Sequence, residues 1–213
     1  MDNIFSSLIE NLKARQIVPY YAESKEDALN TVLSIIEEER IKKGKTEKEM
    51  LVSYGGSKTL GEIDVYSHIE KYNALNPYVL KDKKEQYEAK RRAQLSDVFM
   101  MSANAICENG EIVNIDGNGN RLGALIFGPD TIIMVVGKNK IVKDRGEAMM
   151  RIKTVACPKN AARLSRRTPC AETGKCESCL IPGETICGHY VYTRYSAIPE
   201  RIRVILVNEE LGF

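Results

Sequence analysis

The chain has 213 residues, of which 43% are hydrophobic and 28% are charged. These proportions are those of an ordinary globular domain and exclude a disordered or collagen-like chain. Lysine and arginine total 31 against 29 aspartate and glutamate, so the net charge of +2 does not indicate a nucleic-acid-binding protein. The longest apolar runs are strand-length and fall short of the ~20 residues that a membrane helix needs.

The first residues, Met1 to Ile4, include neither a basic region nor the start of a long apolar stretch. This pattern indicates no secretory signal and predicts a cytoplasmic location. In a reducing compartment, six cysteines point to metal ligands, redox groups or buried thiols rather than disulfides. We therefore expect one cytoplasmic domain over residues 1–213, either monomeric or a homo-oligomer.

Strands and helices alternate along the chain, which predicts an α/β sheet with helices on its faces. An amphipathic helix is expected at residues 5–14, a short strand at 17–21, and a strong helix from Ser24 to about Gly44. The later predicted elements are a strand at 50–54, a helix from Thr59, a helix at 81–95, a strand at 97–102, a hairpin of 105–107 with 112–115, a helix at 121–127, a strand at 131–136, a helix from Asp144 to about Ala156 and a strand at 202–207.

The glycine loop, residues 55–59, joins a predicted strand to a predicted helix and reads Gly55-Gly56-Ser57-Lys58-Thr59. A glycine turn at such a junction allows backbone N–H groups to converge on an anion, and the two hydroxyls add donors. The spacing is not that of a Walker loop. An ordinary turn, with Thr59 and Glu62 as the capping pair of the helix, is the alternative interpretation.

The asparagine loop, residues 116–121, reads Asp116-Gly117-Asn118-Gly119-Asn120-Arg121 and follows the predicted hairpin. Its glycine spacing is one residue off the dinucleotide fingerprint, so we do not predict a Rossmann site. The density of amide, carboxylate and guanidinium groups favours a polar binding site, to which Asn104 across the hairpin would add. Hairpin and cap chemistry uses the same residue types and is the alternative.

The cysteine segment, residues 166–190, contains four of the six cysteines in the spacing C-x5-C-x2-C-x7-C. These candidate metal ligands are Cys170, Cys176, Cys179 and Cys187. A C-x-x-C pair on one tight turn is the common half-site of zinc and iron–sulfur sites. The full spacing matches neither a zinc-finger template nor a ferredoxin. His189 is an alternative ligand, and a dithiol switch or unliganded thiols are alternative interpretations.

A basic stretch precedes the cysteines, because residues 151–169 contain six cations and no acidic residue. Four thiolates around zinc or around a [4Fe–4S] cluster form an anionic centre, which nearby cations would stabilise. The same stretch would suit a phosphate-bearing ligand or an acidic redox partner. A solvated basic helix end is the alternative, and the two lone cysteines, Cys107 and Cys157, have no assigned role.

Three stretches, residues 102–106, 111–121 and 126–129, resemble the lactate-utilisation (LUD) domain family. More narrowly, the chain resembles the single-domain subgroup related to lactate utilisation protein C. Many members of that subgroup carry a tail similar to residues 168–187 and 204–212 of this chain. The resemblance covers most of the chain, from about Ser24 onward.

This resemblance implies a three-layer α/β/α fold with a mostly parallel sheet, like that of ribose-5-phosphate isomerase, glucosamine-6-phosphate deaminase and the CoA transferases. In those enzymes the position of the glycine loop holds a phosphate or a carboxylate. The resemblance also implies a role beside iron–sulfur proteins that oxidise lactate to pyruvate in bacteria. It therefore favours a [4Fe–4S] cluster in the cysteine segment, with zinc as the alternative.

We accordingly expect a redox-associated subunit or small-molecule binder of lactate or organic-acid utilisation, with iron–sulfur redox proteins as partners. An anionic small molecule is the expected ligand, and neither nucleic acid nor a membrane is expected to be bound. The expected binding residues, at the carboxyl ends of strands, are Gly55, Gly56, Ser57, Thr59, Asn104, Asp116, Asn120 and Arg121. Ser57 and Asp116 on opposite faces of the sheet would contradict this site.

Two other functions are compatible with the residues. One is a stand-alone enzyme acting on phosphorylated or CoA-linked carboxylates, with Asp116 or Glu62 as the acid or base. The other is a non-enzymatic module in which zinc stabilises the cysteine segment and the basic stretch docks a partner. Turnover without partner proteins would favour the first, and strongly salt-dependent association would favour the second.

Overall fold

The computed structural model describes residues 3–213, so Met1 and Asp2, part of the stretch that predicts no secretory signal, lie outside the described residues. The elements in chain order are α1 (Asn3–Lys13), β1 (Val18–Ala22), α2 (Lys25–Lys42), β2 (Leu51–Tyr54), α3 (Lys58–Glu62), α4 (Val65–His68), β3 (Asn73–Leu75), α5 (Lys83–Arg92), β4 (Val98–Met101), β5 (Ala105–Cys107), β6 (Ile112–Asp116), α6 (Asn120–Phe127), β7 (Thr131–Gly137), β8 (Ile141–Val142), α7 (Arg145–Arg151), α8 (Cys157–Arg163), α9 (Pro169–Thr173), β9 (His189–Thr193) and β10 (Ile202–Val207).

A central sheet of six described strands has the order β1-β10-β7-β4-β2-β3, and every neighbouring pair is parallel. Its middle strands β4, β7 and β10 are buried along their whole length. Such strands are apolar on both faces because helices or a second sheet cover both sides. The predicted mostly parallel α/β sheet is therefore confirmed.

Side chains of β7 show how the layers form, since successive residues point to opposite faces of the sheet. Ile133 and Val135 pack into a core with α2, α3 and α4. Ile132 and Met134 pack into a second core with α1, α6 and part of the smaller sheet. The predicted three-layer α/β/α arrangement is confirmed, with the smaller sheet as an addition to the second outer layer.

The smaller sheet has the order β8-β5-β6-β9 among the described strands. Its β5–β6 pair is the predicted antiparallel hairpin, and Gly110 in the turn adopts a φ of +87° that disfavours other residues. The sequence did not indicate β8, β9 or the edge strand β3. Ala148, Ile152 and Cys157 pack on the sheet's outer face and tie the C-terminal helices to it.

Helix starts agree with the sequence at α2 and differ at α3. Ser24 caps α2 in a full capping box with Asp27, as predicted. At α3 the cap is Ser57, whose side chain accepts from Leu60 N, so the predicted Thr59–Glu62 pair is wrong. Asp64 has a φ of +53°, which ends α3 and separates it from α4.

The helix that follows Asp144 is longer than predicted. α7 passes through one π-helical stretch, Ile152–Ala156, directly into α8, instead of ending at about Ala156. Pro158 explains the π stretch, because proline cannot donate the helical hydrogen bond and its ring crowds the preceding turn. The consequence is that the basic stretch is largely helical and packs beside the cysteine segment.

The carboxyl ends of β2, β4 and β7 lie side by side, because these strands are parallel neighbours in the order β7-β4-β2. The glycine loop, residues 102–104 and residues 138–140 therefore emerge at one edge of the sheet. This edge is the usual place for ligands in open α/β sheets. Over residues 3–213, no helix is both long enough and apolar enough to cross a membrane.

Candidate functional site

A cavity of 570 Å³ opens at this edge of the sheet. Its walls come from the glycine loop, the asparagine loop, the ends of β4 and β7, and the cysteine segment. Ser57 and Asp116 both line it, so the arrangement that would contradict the predicted cleft does not occur. Seven of the eight predicted binding residues line this cavity: Gly56, Ser57, Thr59, Asn104, Asp116, Asn120 and Arg121.

Gly55 is the eighth, and it is buried behind the cavity wall. A Cβ at Gly55 would lie 2.5 Å from Cδ of Arg121, and a Cβ at Gly56 would lie 3.3 Å from the ring of Tyr78. Neither glycine belongs to the described residues with positive φ. The two glycines therefore make room for neighbouring side chains, which differs from the expected backbone turn wrapped around an anion.

Asp116 and Arg121 form an ion pair at the centre of the asparagine loop. Arg121 Nε donates to Asp116 Oδ2 at 2.9 Å, and Arg121 Nη2 donates to the carbonyl of Ile115 at 2.5 Å. Asp116 Oδ1 accepts from the backbone N–H groups of Asn118 and Gly119. Both carboxylate oxygens are thus engaged, and Asp116 holds the guanidinium and the loop in a fixed position.

The predicted asparagines have different surroundings. Asn104 Oδ1 accepts from Ile115 N at 2.9 Å, which joins the end of β4 to the hairpin as the sequence suggested. Asn120 begins α6, and its carbonyl accepts from the amide of Gln94. Both side chains line the cavity and are half-buried, so their amides can contact solvent or a ligand there.

Glu62, the other candidate acid or base, does not line the cavity. Its Oε2 accepts from the backbone N–H of Gly212 at 2.6 Å, and its Oε1 lies 3.5 Å from Nζ of Lys58. These contacts direct the carboxylate of Glu62, the last residue of α3, toward Lys58 and the chain near Gly212, which it holds in place. Of the two candidate carboxylates, only Asp116 faces the cavity.

The charge of the cavity wall is strongly one-sided. Among the described lining residues, six side chains are cationic and one is a carboxylate, Asp116, which is already paired with Arg121. The six cations are Lys58, Lys90, Arg121, Lys140, Arg163 and Arg166. Two of them, Arg163 and Arg166, belong to the basic stretch, and the sequence reasoning did not place that stretch at the same site.

Lys140 is the main residue that sequence reasoning missed. It follows β7, is 3% exposed, and donates from Nζ to Thr59 Oγ1 at 2.7 Å and to Ser102 Oγ at 2.8 Å. Burial lowers the pKa of its amine to about 7, and the charges of Arg151 and Arg121 add to this effect. Glu62 opposes it. The sequence pattern that could have pointed to Lys140 is its position just after the predicted strand at 131–136, in Gly137-Lys138-Asn139-Lys140.

The four cysteines of the cysteine segment are free thiols and half-buried. Burial raises the pKa of Cys187, and a hydrogen bond with Tyr190 lowers it. The thiols of Cys179, Cys176 and Cys170 are near enough to raise the pKa of Cys187 further. Over the described chain, however, no three His, Cys, Asp or Glu side chains are grouped closely enough to hold a metal ion.

A fifth thiol, Cys157 of α8, lies against this group. Burial raises its pKa to about 12, and Cys187, Cys170 and Cys176 raise it as well, with a hydrogen bond to Cys187. Cys107 lies apart from the group, buried in β5. His189 is exposed, and its ring lies 3.5 Å from where a Cβ of Gly119 would be, so the alternative ligand faces the asparagine loop.

The cysteine segment also forms one wall of the cavity, through Gly183, Thr185 and Ile186. The contact is close, since a Cβ at Gly117 would lie 3.1 Å from the Cα of Ile186. A side chain at position 117 would require the chain at Ile186 to move by a few tenths of an ångström. The predicted anion site and the predicted metal site are therefore neighbours in the structure.

A family model for the LUD domain matches residues 6–207 of the chain. This chain belongs to the LUD-domain family. Among solved structures, the LUD domain described here is similar to that of a DUF162 family protein from Deinococcus radiodurans, with 12% sequence identity, 96% of each chain covered and a TM-score of 0.53. At that identity the likeness supports the fold alone. No curated protein matches the chain.

The expected family is therefore confirmed, and with it the association of the LUD domain with lactate utilisation.

Proposed function

We propose that this LUD domain binds an anionic small molecule, a carboxylate or a phosphate ester of organic-acid metabolism, in the cavity at the carboxyl ends of β2, β4 and β7. The observation that carries the proposal is the charge of the wall: its one side-chain carboxylate is paired with Arg121, and four further cationic side chains, Lys58, Lys90, Arg163 and Arg166, have no carboxylate partner among the described lining residues. In a partly enclosed site such charges act through a lower dielectric than in water and favour an anion.

Arg121 is the residue we expect to contact the anion most directly. Asp116 and the Ile115 carbonyl fix its guanidinium, and its side chain packs against Gly55, so little conformational freedom is lost on binding. Guanidinium groups suit both candidate ligand classes, because their donor geometry matches carboxylate and phosphate oxygens. Ser57, Asn104 and Asn120 supply the neutral donors of the site.

Isothermal titration calorimetry with inorganic phosphate, lactate and pyruvate tests this proposal. We expect at least one of them to bind the wild-type chain, and Arg121→Gln to weaken that binding by about tenfold or more, the loss typical of a charged hydrogen bond. Arg145→Gln is the matched control, because Arg145 pairs with Glu111 on the smaller sheet away from the cavity. Equal affinity in wild type and Arg121→Gln would contradict the proposal.

For the cysteine segment we propose a metal site held by Cys170, Cys176, Cys179 and Cys187, with a [4Fe–4S] cluster favoured and zinc as the alternative. Three observations support the proposal: the thiols are unpaired and half-buried, three of them raise the pKa of Cys187, and Ser178, Gly174 and Gly183 adopt left-handed backbone conformations that reverse the chain between them. The four sulfurs would have to draw closer together to hold the group. A bound cluster would supply one-electron transfer, and zinc would only fix the segment.

The proposed redox role, as a subunit that works with iron–sulfur partner proteins, rests on the contact between the two sites. The cysteine segment supplies Thr185 and Ile186 to the cavity wall, beside Cys187. A ligand in the cavity would therefore be bound near the group of thiols. This adjacency favours a redox-associated function over the stand-alone enzyme acting on phosphorylated or CoA-linked carboxylates, for which only Asp116 is positioned.

Anaerobic purification followed by visible absorption and by iron, sulfide and zinc analysis tests the metal site. We expect a brown protein with iron and acid-labile sulfide, which Cys176→Ser abolishes and Cys107→Ala preserves, because Cys107 is buried elsewhere in β5. A colourless protein that contains zinc would contradict the iron–sulfur cluster and favour the alternative function, a non-enzymatic module with a structural metal. Cys157→Ala shows whether the fifth thiol takes part.

A further inference from the structure

We infer that Lys140 is a nucleophilic amine, and that it forms an imine with the carbonyl group of an anion held in the cavity, such as a 2-oxo acid or an aldehyde phosphate. This inference rests on the proposed function, because the cations of the cavity are what hold the anionic part of the ligand. It adds a covalent step and a substrate class that anion binding by itself does not require.

The hydrogen bonds around Lys140 fix the direction of each hydrogen. Ser102 donates its own hydroxyl hydrogen to the carbonyl of Val135 at 2.6 Å, so its oxygen accepts from Lys140. Thr59 donates to the carbonyl of Leu211 at 3.4 Å, so its oxygen also accepts from Lys140. Two N–H bonds of the amine are thereby engaged by hydroxyl oxygens of the cavity wall.

The remaining tetrahedral position on Nζ is the reactive one. In a neutral amine with two N–H donors engaged, that position holds the lone pair, and Lys140 is part of the cavity lining. The groups that act on the amine from the elements packed around it are Arg151 of α7, Arg121 of α6 and Glu62 of α3. Its hydrogen-bonding partners are hydroxyls and not carboxylates, so they do not hold it in the charged state.

The reaction balances without an added oxidant or reductant. The Nζ lone pair forms a C–N bond to the carbonyl carbon, the C=O π bond breaks, and the oxygen takes a proton from the nitrogen. The carbinolamine then loses its hydroxyl group and the second amine proton as water while the C=N bond forms. Desolvation beside other cations is a known way to keep a lysine neutral for this chemistry.

An imine suits the cavity better than proton abstraction by Lys140. Proton transfer in both directions needs a free acid or base as partner, and the one carboxylate among the described lining residues, Asp116, has both oxygens engaged. Imine formation removes the carbonyl oxygen as water and leaves a neutral C=N group, which becomes a strong electron acceptor once its nitrogen takes up a proton from solvent water. Thr59 and Ser102 are the positioning residues, since each orients the amine without touching the carbonyl carbon.

Reductive trapping on the wild-type chain tests the inference. Pyridoxal 5′-phosphate combines an aldehyde with a phosphate, and borohydride makes its lysine adduct permanent for peptide mapping by mass spectrometry. We expect the adduct mainly at Lys140, with Lys58 and Lys90 of the same cavity as internal controls. At pH 7 about half of a lysine with a pKa near 7 is neutral, against roughly one in a thousand for an ordinary lysine.

A second probe separates this inference from the proposed function. Formaldehyde with cyanoborohydride methylates neutral amines and carries no charge, so it reports the reactivity of Lys140 without anion binding. We expect Lys140 to be methylated at least tenfold faster than Lys58 at pH 7, with half of its maximal rate near pH 7. The wild-type chain serves for both probes, so no variant has to fold.

Each outcome decides one of the two claims. If phosphate or pyruvate binds in calorimetry but Lys140 is methylated no faster than Lys58, the anion site stands and the inference is overturned. Lys140 could also react quickly with formaldehyde while pyridoxal 5′-phosphate labels Lys58 and Lys90 as strongly as Lys140. That result would overturn the claim that Lys140 reacts with a carbonyl-bearing anion. Preferential labelling of Lys140 by both probes, with pyruvate competing against the pyridoxal adduct, supports the inference.

Discussion

The two opposite walls of the cavity are built in different ways. On one wall, the glycine loop, the asparagine loop and Lys140 follow strands of the two sheets, and their polar groups are held by hydrogen bonds within the chain. On the other wall, the cysteine segment has half-buried thiols and only short elements, α9 and β9. The second wall has hydrogen bonds of its own, such as those of Arg167 with Glu184 and of Ile181 with Thr185. Because its regular elements are short, we expect it to be the less stable of the two walls.

The largest expected effect is on the cysteine segment itself. If a metal stabilises this segment beyond its own hydrogen bonds, Cys176→Ser should remove the metal and make the segment at least ten times more sensitive to limited proteolysis. Far-UV circular dichroism should change little, because the central sheet has its own cores. Equal proteolysis of wild type, Cys176→Ser and the Cys107→Ala control would show that both walls are fixed by the fold.

Asp116→Asn should destabilise the asparagine loop, which is part of the first wall. The substitution keeps the shape of the side chain but removes the charge that holds Arg121 and replaces one acceptor by a donor beside it. We expect the free energy of unfolding in urea to fall by about 3 kcal/mol, the cost of breaking a largely buried ion pair. Anion affinity in calorimetry should fall by about tenfold. If neither the free energy of unfolding nor the anion affinity falls, the asparagine loop is held by other contacts.

The pH dependence of stability reports the burial of Lys140. Its pKa falls from 10.5 to about 7 in the folded chain, so the unfolded chain binds more protons between these two values and stability must rise with pH across that window. Relative to Lys140→Met, the wild-type free energy of unfolding should rise by about 1 kcal/mol per pH unit from pH 7 to pH 9, with a limiting slope of about 1.4 midway between the two pKa values. Parallel profiles for the two proteins would contradict a neutral Lys140.

The smallest expected effect comes from Gly55→Ala. The added Cβ meets the aliphatic part of Arg121, which has to move, while the backbone at Gly55 needs no unusual φ. We expect anion binding to weaken by a few fold and the unfolding free energy to change by about 1 kcal/mol or less. Gly146→Ala is the control, because position 146 lies in α7 away from the cavity. Unchanged binding in Gly55→Ala would mean that Arg121 does not need its present position.

Much of the fold could be predicted because its signals are local. The apolar run at 202–207 matches β10 residue for residue, the Asn109-Gly110 turn gives the hairpin, and Ser24 begins α2. Weak or competing signals explain the differences. The helix expected to end at about Ala156 continues into α8 through a π-helical stretch before Pro158. The strand β9 has exposed tyrosines and forms only by pairing with β6, which is distant in sequence.

Most of the residues expected in the cleft do line the cavity, but the physical causes of their positions were predicted less well. Parallel strand ends bring the glycine loop near Asn104, as strand order predicts, but the reason for Gly55 is the packing of Arg121. Lys140 was missed because one lysine after a strand resembles any solvated lysine until its burial is known. Likewise, Cys157 lies thirteen or more residues before the other thiols of the group in sequence and joins them only through the packing of α8 on α9.

The central claim is that the two loops form one anion site, and backbone NMR tests it most directly. Pyruvate and inorganic phosphate would be titrated into the 15N-labelled chain while all amide shifts are followed. The account predicts saturable shifts at residues 56–57 and 117–121 together, with one affinity, and none at the hairpin turn 108–111. Shifts that never saturate, or that appear in only one of the two loops, would contradict it.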